Sequence, residues 1–330
     1  MKIALIADGL TTSCFKVHSH VINITPWNYA WRLRYSKPDL LFVESAWEGH
    51  GKRWKYKIAQ YPNYPERTNN VLRRVVSTAR DLGIPTVFWN KEDGVHFSRF
   101  IESAKLFDHI LTVDENCIPQ YLQATDGRAK VRAMPFPVEP SFHNFSGFDF
   151  KIQRANFVGS YNWHIHDRRR AWQDLMFQAC TSVGLQIDVY DRNSNRRSPN
   201  YRYPAIAGLS INSAIPYAET ANIYRQHILS LNVNTVENSP TMYSRRLVEI
   251  LACGGIALTN PTPSIERYFK DYCYVVSDYY ECREHAYRLV KFGPTKRDLE
   301  RAEAGAEYVK NAHSWSRCID DLHALVIGKK

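Results

Sequence analysis

No run of about 18 apolar residues occurs in this 330-residue chain, so no bilayer-spanning helix is expected. The opening stretch Met1–Ala7 is apolar but short and lacks a cleavable signal pattern; it reads as a first β-strand. No C-x-x-C pair occurs. Seven cysteines, at 14, 117, 180, 253, 273, 282 and 318, are odd in number and scattered. That argues against a disulfide frame or a zinc site and for reduced thiols in a cytosol. The sequence has no D-x-D to hold a divalent ion with a diphosphate. It also has no H-E-x-x-H, no G-x-x-x-x-G-K-[ST] and no G-x-S-x-G. His164 and His166 could form a metal pair, but no third ligand stands near them, so no metal is expected. Internal repeats, low-complexity tracts and long basic tails are absent as well.

What is present is positive charge and aromatic rings. The formal charge is +10 and the isoelectric point near 9.2. The cations form small knots, at 52–57, Arg73-Arg74, 168–170, Arg196-Arg197 and Arg245-Arg246. Such a balance suits nucleic acid, an anionic membrane surface or an anionic small ligand. No groove-reading helix or single-strand aromatic motif is apparent, so nucleic acid is not the expected partner. Aromatic residues make up 13% of the chain, with 20 Tyr and 8 Trp. They fit ring-lined polar clefts as well as ordinary cores.

Hydrophobic patterning alternates strands with helices along both halves, the signature of an α/β protein with parallel sheets. In the first half, strands are expected at Lys2–Ala7, Asp39–Glu44, Pro85–Trp89 and His109–Val113, with helices at Asn69–Leu82 and Ser98–Leu106. A proline-rich, aperiodic stretch, Pro135–Lys151, marks a linker. The expected domains are therefore 1–145 and 146–330, with the last helix free to pack back on the first. In the second half, strands are expected near 155–161, 185–191, 228–234, 256–260 and 273–278. Helices are expected near 168–183, 216–227, 241–255, 279–291, 297–313 and 316–327.

In parallel sheets, ligands gather at the carboxyl ends of strands. Asp8, Glu44 and the run Asn90–Asp93 fall at such ends. In "WNKEDGVHF", Glu92, Asp93 or His96 could take a proton from a hydroxyl, with Glu44 and Glu48 as rivals. A carboxylate at a strand end also commonly caps the next helix.

The richest segment is Leu231–Asn260. It reads as strand, polar loop, helix, Gly-Gly, strand. Ser239 reads as the N-cap of that helix, with Thr241 and Met242 in its first turn. A helix start attracts anions, and Arg245 and Arg246 add phosphate-gripping forks. Glu249 shares a face with Arg245 and could accept two hydrogen bonds from a ribose. The plainer reading is an i,i+4 ion pair worth about 0.3–0.5 kcal/mol. Gly159-Ser160 end the first strand of the second half, where a backbone turn can cradle phosphate, with Arg168 and Arg169 behind. Tyr190, Asp191 and Arg192, which end the next strand, and Tyr217 are positioned to face a base, or to serve structure alone.

Three segments resemble the CgeB-like group of GT-B glycosyltransferases: "FWNKEDGVHF" at 88–97, "NFVGSYNWHIHDRRR" at 156–170 and "NSPTMYSRRLVEILACGG" at 238–255. The likeness also takes in "KPDLLFVESAW" at 37–47. It implies two Rossmann-like domains facing a cleft, with a nucleoside-diphosphate sugar held mainly by the second domain and a hydroxyl acceptor by the first. On that resemblance Glu249 matches the ribose-binding acid, and Arg245 with Ser239–Met242 lies near the diphosphate and sugar. Related retaining enzymes carry another acid eight positions before this Glu; here the position is Thr241. Stereochemical outcome is therefore left open. The expected acceptor is a glycan or its lipid-linked precursor, reached in the cytoplasm or at the inner membrane face. A sugar-nucleotide epimerase of similar fold and a nucleic-acid-binding or -modifying protein are the alternatives.

Overall fold

The computed structural model describes residues 1–327, and its chain divides into two compact units. The first contains Met1–Phe136, the short segment Ser239–Met242 and the terminal helix from Trp315. The second contains Pro137–Asn238 and Tyr243–Ser314.

The first unit runs β1 (Lys2–Ile6), α1 (Gly9–His18), β2 (His20–Asn23), α2 (Tyr29–Ser36), β3 (Leu40–Glu44) and α3 (Asn70–Asp81). It continues with β4 (Thr86–Asn90), α4 (Phe97–Ala104), β5 (His109–Thr112), α5 (Ile118–Ala124) and β6 (Lys130–Ala133). Six parallel strands form one sheet in the order β2-β1-β3-β4-β5-β6. The inner strands β3, β4 and β5 are buried at every position. This is why they read as continuous apolar runs: helices cover both faces of a parallel sheet. Helix α3 shows the complementary pattern, burying Leu72, Val75, Val76 and Ala79 on one stripe.

The second unit runs β7 (Ile152–Gly159), α6 (Asp167–Ser182), β8 (Ile187–Asp191), β9 (Leu209–Ser213), α7 (Thr220–Gln226) and β10 (His227–Asn232). It continues with α8 (Arg245–Ala252), β11 (Ala257–Thr259), α9 (Pro263–Tyr268), β12 (Tyr274–Val275), α10 (Tyr279–Phe292) and α11 (Lys296–Ala312). Its sheet is also six-stranded and parallel, in the order β12-β11-β10-β7-β8-β9. The terminal α12 (Trp315–Ile327) packs on α1, where Trp315 meets Phe15 at 5.0 Å between ring centroids. The α/β class expected from the alternation is thus the observed one.

One expectation is corrected. Ser239 does not cap the helix of its segment. Its hydroxyl closes only a local turn anchored at the end of β5, and residues 240–244 that follow do not form helix. The hydroxyl accepts from the Met242 amide at 2.9 Å and donates to Asp114 Oδ1 at 2.6 Å. The helix begins at Arg245, with Ser244 in the cap position at φ −69° and ψ 128°. It stops at the two glycines. Gly254 has φ +71°, and a Cβ there would fall 2.4 Å from the Phe145 ring, so both backbone and space demand glycine. Among the described residues, no helix is long and apolar enough to cross a membrane.

Candidate functional site

Each sheet changes direction beside its first strand, and a crevice opens where the chain leaves in opposite directions. In the second unit that point lies between β7 and β10. Gly159 ends β7 and is in register with Asp191 at the end of β8. Three arginines converge near these strand ends. Arg246, on α8, donates from Nε to the Val158 carbonyl, and its guanidinium lies 4.3 Å over the Phe157 ring. Arg169, on α6, donates from Nη2 to the Ser160 carbonyl at 3.0 Å. Arg192, just past β8, adds its field to both. Burial, with Arg246 and Arg192 nearby, pulls Arg169 down to about 10; burial also lowers Arg246.

Among the described residues, no carboxylate pairs with Arg169 or Arg246. Arg169 Nε, Arg246 Nη1 and the Tyr203 hydroxyl are buried atoms without a hydrogen-bond partner. Three polar groups left open together at one strand end are costly unless something binds there. What they match is an anion with several oxygens. Gly159 makes the arrangement possible: a Cβ at that position would come within 2.7 Å of Arg246 Nη2 and of the Phe157 ring.

Glu249 lies one turn further along α8 and is 5% exposed. It accepts from Arg245 Nε at 2.9 Å, so the i,i+4 pair that the spacing allows is formed. Around this pair stand Tyr224, whose hydroxyl is 3.5 Å from Glu249 Oε2, and Tyr217, whose ring faces the Arg245 guanidinium at 5.7 Å. The His143 ring packs at a tilt against Tyr217, 4.8 Å between centroids, and bonds Thr220 at 2.8 Å. Burial lowers its pKa and keeps it neutral at pH 7. Tyr190, by strand alternation, sits on the sheet face opposite Asp191 and faces His227 at 6.4 Å. A buried amide network, in which Asn234 accepts from the Ser244 amide at 2.8 Å and its own amide bonds Asn260, fixes the start of α8.

Ser239, Thr241 and Met242 belong to the first unit, at the end of β5. Thr241 donates to the Val113 carbonyl at 2.9 Å and accepts from the Glu115 amide at 2.9 Å. The hydroxyl that stands where related enzymes have an acid is thus fully used by backbone.

In the first unit, Lys91 Nζ lies 3.0 Å from both Asp8 Oδ2 and Glu44 Oε1 at the ends of β1, β3 and β4. Glu44 is 0% exposed and also accepts from Thr11 Oγ1 at 2.6 Å. Burial pushes its pKa up against the pull of Lys91. Asp93 is 0% exposed too. Asn90 Nδ2 donates to it at 2.6 Å and Tyr121 at 2.8 Å, with Thr112 Oγ1 at 2.5 Å, and burial raises it to about 7. Both carboxylates are locked inside the unit. Glu92 and His96 keep partly exposed side chains, His96 edge-on to Trp47 at 5.3 Å. Asp8 is one-third exposed.

Sequence reading marked Gly159, Ser160, Arg169, Asp191 and the Arg245–Glu249 face, and these do gather at one end of the second sheet. It did not single out Tyr203 or His143, and it marked Arg192 only as a residue that could face a base. Tyr203 and His143 sit in stretches without periodicity, where no pattern signals burial. Arg246 was legible only as extra charge beside Arg245. Among the described residues, no cluster of three or more His, Cys, Asp or Glu could hold a metal.

The glycosyl transferase-like family profile matches residues 157–324, just over half of the chain. No curated protein sequence matches it. Solved structures share the fold at low identity. Sucrose-phosphate synthase from Thermosynechococcus elongatus superposes with a TM-score of 0.59 at 11% identity, covering 100% of each chain. Anabaena HepE, solved with UDP and glucose, gives 0.58 at 10% identity, covering 100% of this chain and 92% of its own. A UDP-forming trehalose-phosphate synthase from Burkholderia vietnamiensis gives 0.53 at 12%, covering 91% and 77%. These are GT-B structures, and two parallel six-stranded sheets with their helices are what the chain shares with them. With the profile spanning β7 to α12, the chain belongs to the glycosyl transferase-like family.

Proposed function

We propose that this protein transfers a sugar from a nucleoside-diphosphate sugar to a hydroxyl acceptor, as a CgeB-like enzyme. The observation that carries the reading is the Arg169–Arg246 pair at the β7/β10 switch point, with open donors and no carboxylate. Phosphate oxygens would take those donors, and Tyr203 would add a third. The arginines then stabilise the charge that develops on the departing diphosphate, the role a metal ion plays elsewhere, so transfer should proceed without metal. Glu249 would receive the ribose hydroxyls, held in place by Arg245. Tyr217, whose ring faces the Arg245 guanidinium, is the candidate neighbour of the base. The first unit would bring the acceptor, with Glu92, His96 or Asp8 as its proton acceptor; Asp93 and Glu44 would support them from behind. The proposed nucleotide is UDP, in line with the UDP named in two of the neighbours. A glycan or lipid-linked acceptor at the inner membrane face fits the same reading.

Glu249→Ala tests it. Two lost bonds from a carboxylate should weaken UDP binding by about 10- to 100-fold. Calorimetric titration of UDP into the folded variant measures this. An unchanged affinity would remove Glu249 from the donor site.

A further inference from the structure

Helix α2 holds three large rings in water. Trp27, in the turn before it, and Trp31 and Tyr35 within it are 74%, 47% and 76% exposed. Trp31 and Tyr35, four residues apart, share one face of α2, and Trp27 stands in the turn that leads into it. The buried side of α2 is carried by Leu33. Every charge on the segment that carries the rings is positive. Residues 9–38 contain no Asp or Glu. Arg32 lies 4.2 Å over the Trp31 ring, and Arg34 is exposed one turn from it. Helix α3 packs against α2, is free of acids from 67 to 80, and exposes Arg73 and Arg74. Among the described residues, no carboxylate pairs with any of these four arginines.

We propose that α2, flanked by the α3 arginines, is a docking surface for an anionic phospholipid bilayer. Indole and phenol rings are amphipathic and settle at the headgroup level, while guanidinium groups meet lipid phosphates. Anionic lipid draws clustered cations to the surface. A stable protein partner buries roughly 800 Å² on each side. One stripe of rings on a two-turn helix is small against that, whereas a fluid planar surface needs only the stripe. The inference stands on this face alone and not on the donor site.

Sedimentation of the full chain with vesicles tests it, using phosphatidylcholine with and without phosphatidylglycerol. Binding is expected only with the anionic lipid and should weaken as salt rises. Trp31→Ser with Tyr35→Ser, and separately Arg32→Glu with Arg34→Glu, should each lose about tenfold in vesicle affinity. Trp31, Arg34 and Tyr35 are exposed and Arg32 is half-buried, so the thermal midpoint serves as the folding control. Failure to bind phosphatidylglycerol vesicles would overturn the proposal, and so would variants that bind like the wild type. Self-association of the wild type that the ring variant abolishes, without vesicle binding, would assign the stripe to a second copy instead.

Discussion

Arg246 and Asp93 show how much a residue's surroundings change what its type suggests. Arg246 is half-buried, stacked on Phe157 and without a carboxylate, so its charge is available to a ligand. Asp93 has the reverse fate. Thr112 Oγ1 lies within reach of both Asp93 Oδ2 and the Asp114 carbonyl, yet a hydroxyl has one proton to give. A protonated Asp93 resolves this by donating to Thr112, which then donates to Asp114. Burial raises Asp93 from the ordinary 3.8 to about 7. Between those values the native state holds a proton that the unfolded state has lost. Stability therefore falls as pH rises from about 4 to about 7 and is flat above, by up to roughly 4 kcal/mol. Asp93→Asn mimics the protonated carboxyl, with an oxygen for Asn90 and Tyr121 and an amide for Thr112. Thermal unfolding across this pH range should lose that slope in the variant and give it the higher midpoint at pH 8. A slope equal to the wild type's would show that another group titrates.

At the scale of elements, β7 and α8 are joined by the passage of Arg246 over Gly159. Gly159 does not have a left-handed φ, so alanine there meets contact rather than backbone strain. The obstacle is the far end of the Arg246 side chain and the Phe157 ring, both 2.7 Å away. Gly159→Ala should cost about 1–3 kcal/mol of stability and weaken UDP binding by turning the guanidinium aside. Unfolding and titration measure both; an unchanged UDP affinity would mean that the Arg246 position is not set by this glycine. The elements that sequence reveals here are those with unmixed signals. β3, β4 and β5 are unbroken apolar runs, and α3 has a clear stripe. Less legible are α1, whose GLTTSCFKVH contains poor helix formers, and β2 and β9, short outermost strands with polar positions. The start of α8 was misplaced for a specific reason. Ser239-Pro240 looks like a cap and its hydroxyl does take the Met242 amide, but it also donates to Asp114 at the end of β5, a long-range contact no local pattern records.

At the scale of the molecule, a net charge of +10 falls into separate uses. Arg169, Arg192 and Arg246 collect at the switch point of the second sheet, and Arg32, Arg34, Arg73 and Arg74 lie on two helices of the first unit. The composition revealed the excess of charge but not this division, because only folding brings residues 169, 192 and 246 together. The measurement that tests the central claim most directly is the stabilisation of the whole chain by nucleotides, with EDTA present. The wild type and Arg246→Met would be compared against a panel of nucleoside diphosphates. At about 100 times its dissociation constant, UDP should add about 2.7 kcal/mol to the wild type and much less to Arg246→Met, whose free form should be as stable as the wild type or more so. No stabilisation by any nucleotide, or equal stabilisation of both proteins, would contradict the assignment of this arginine pair to the donor diphosphate.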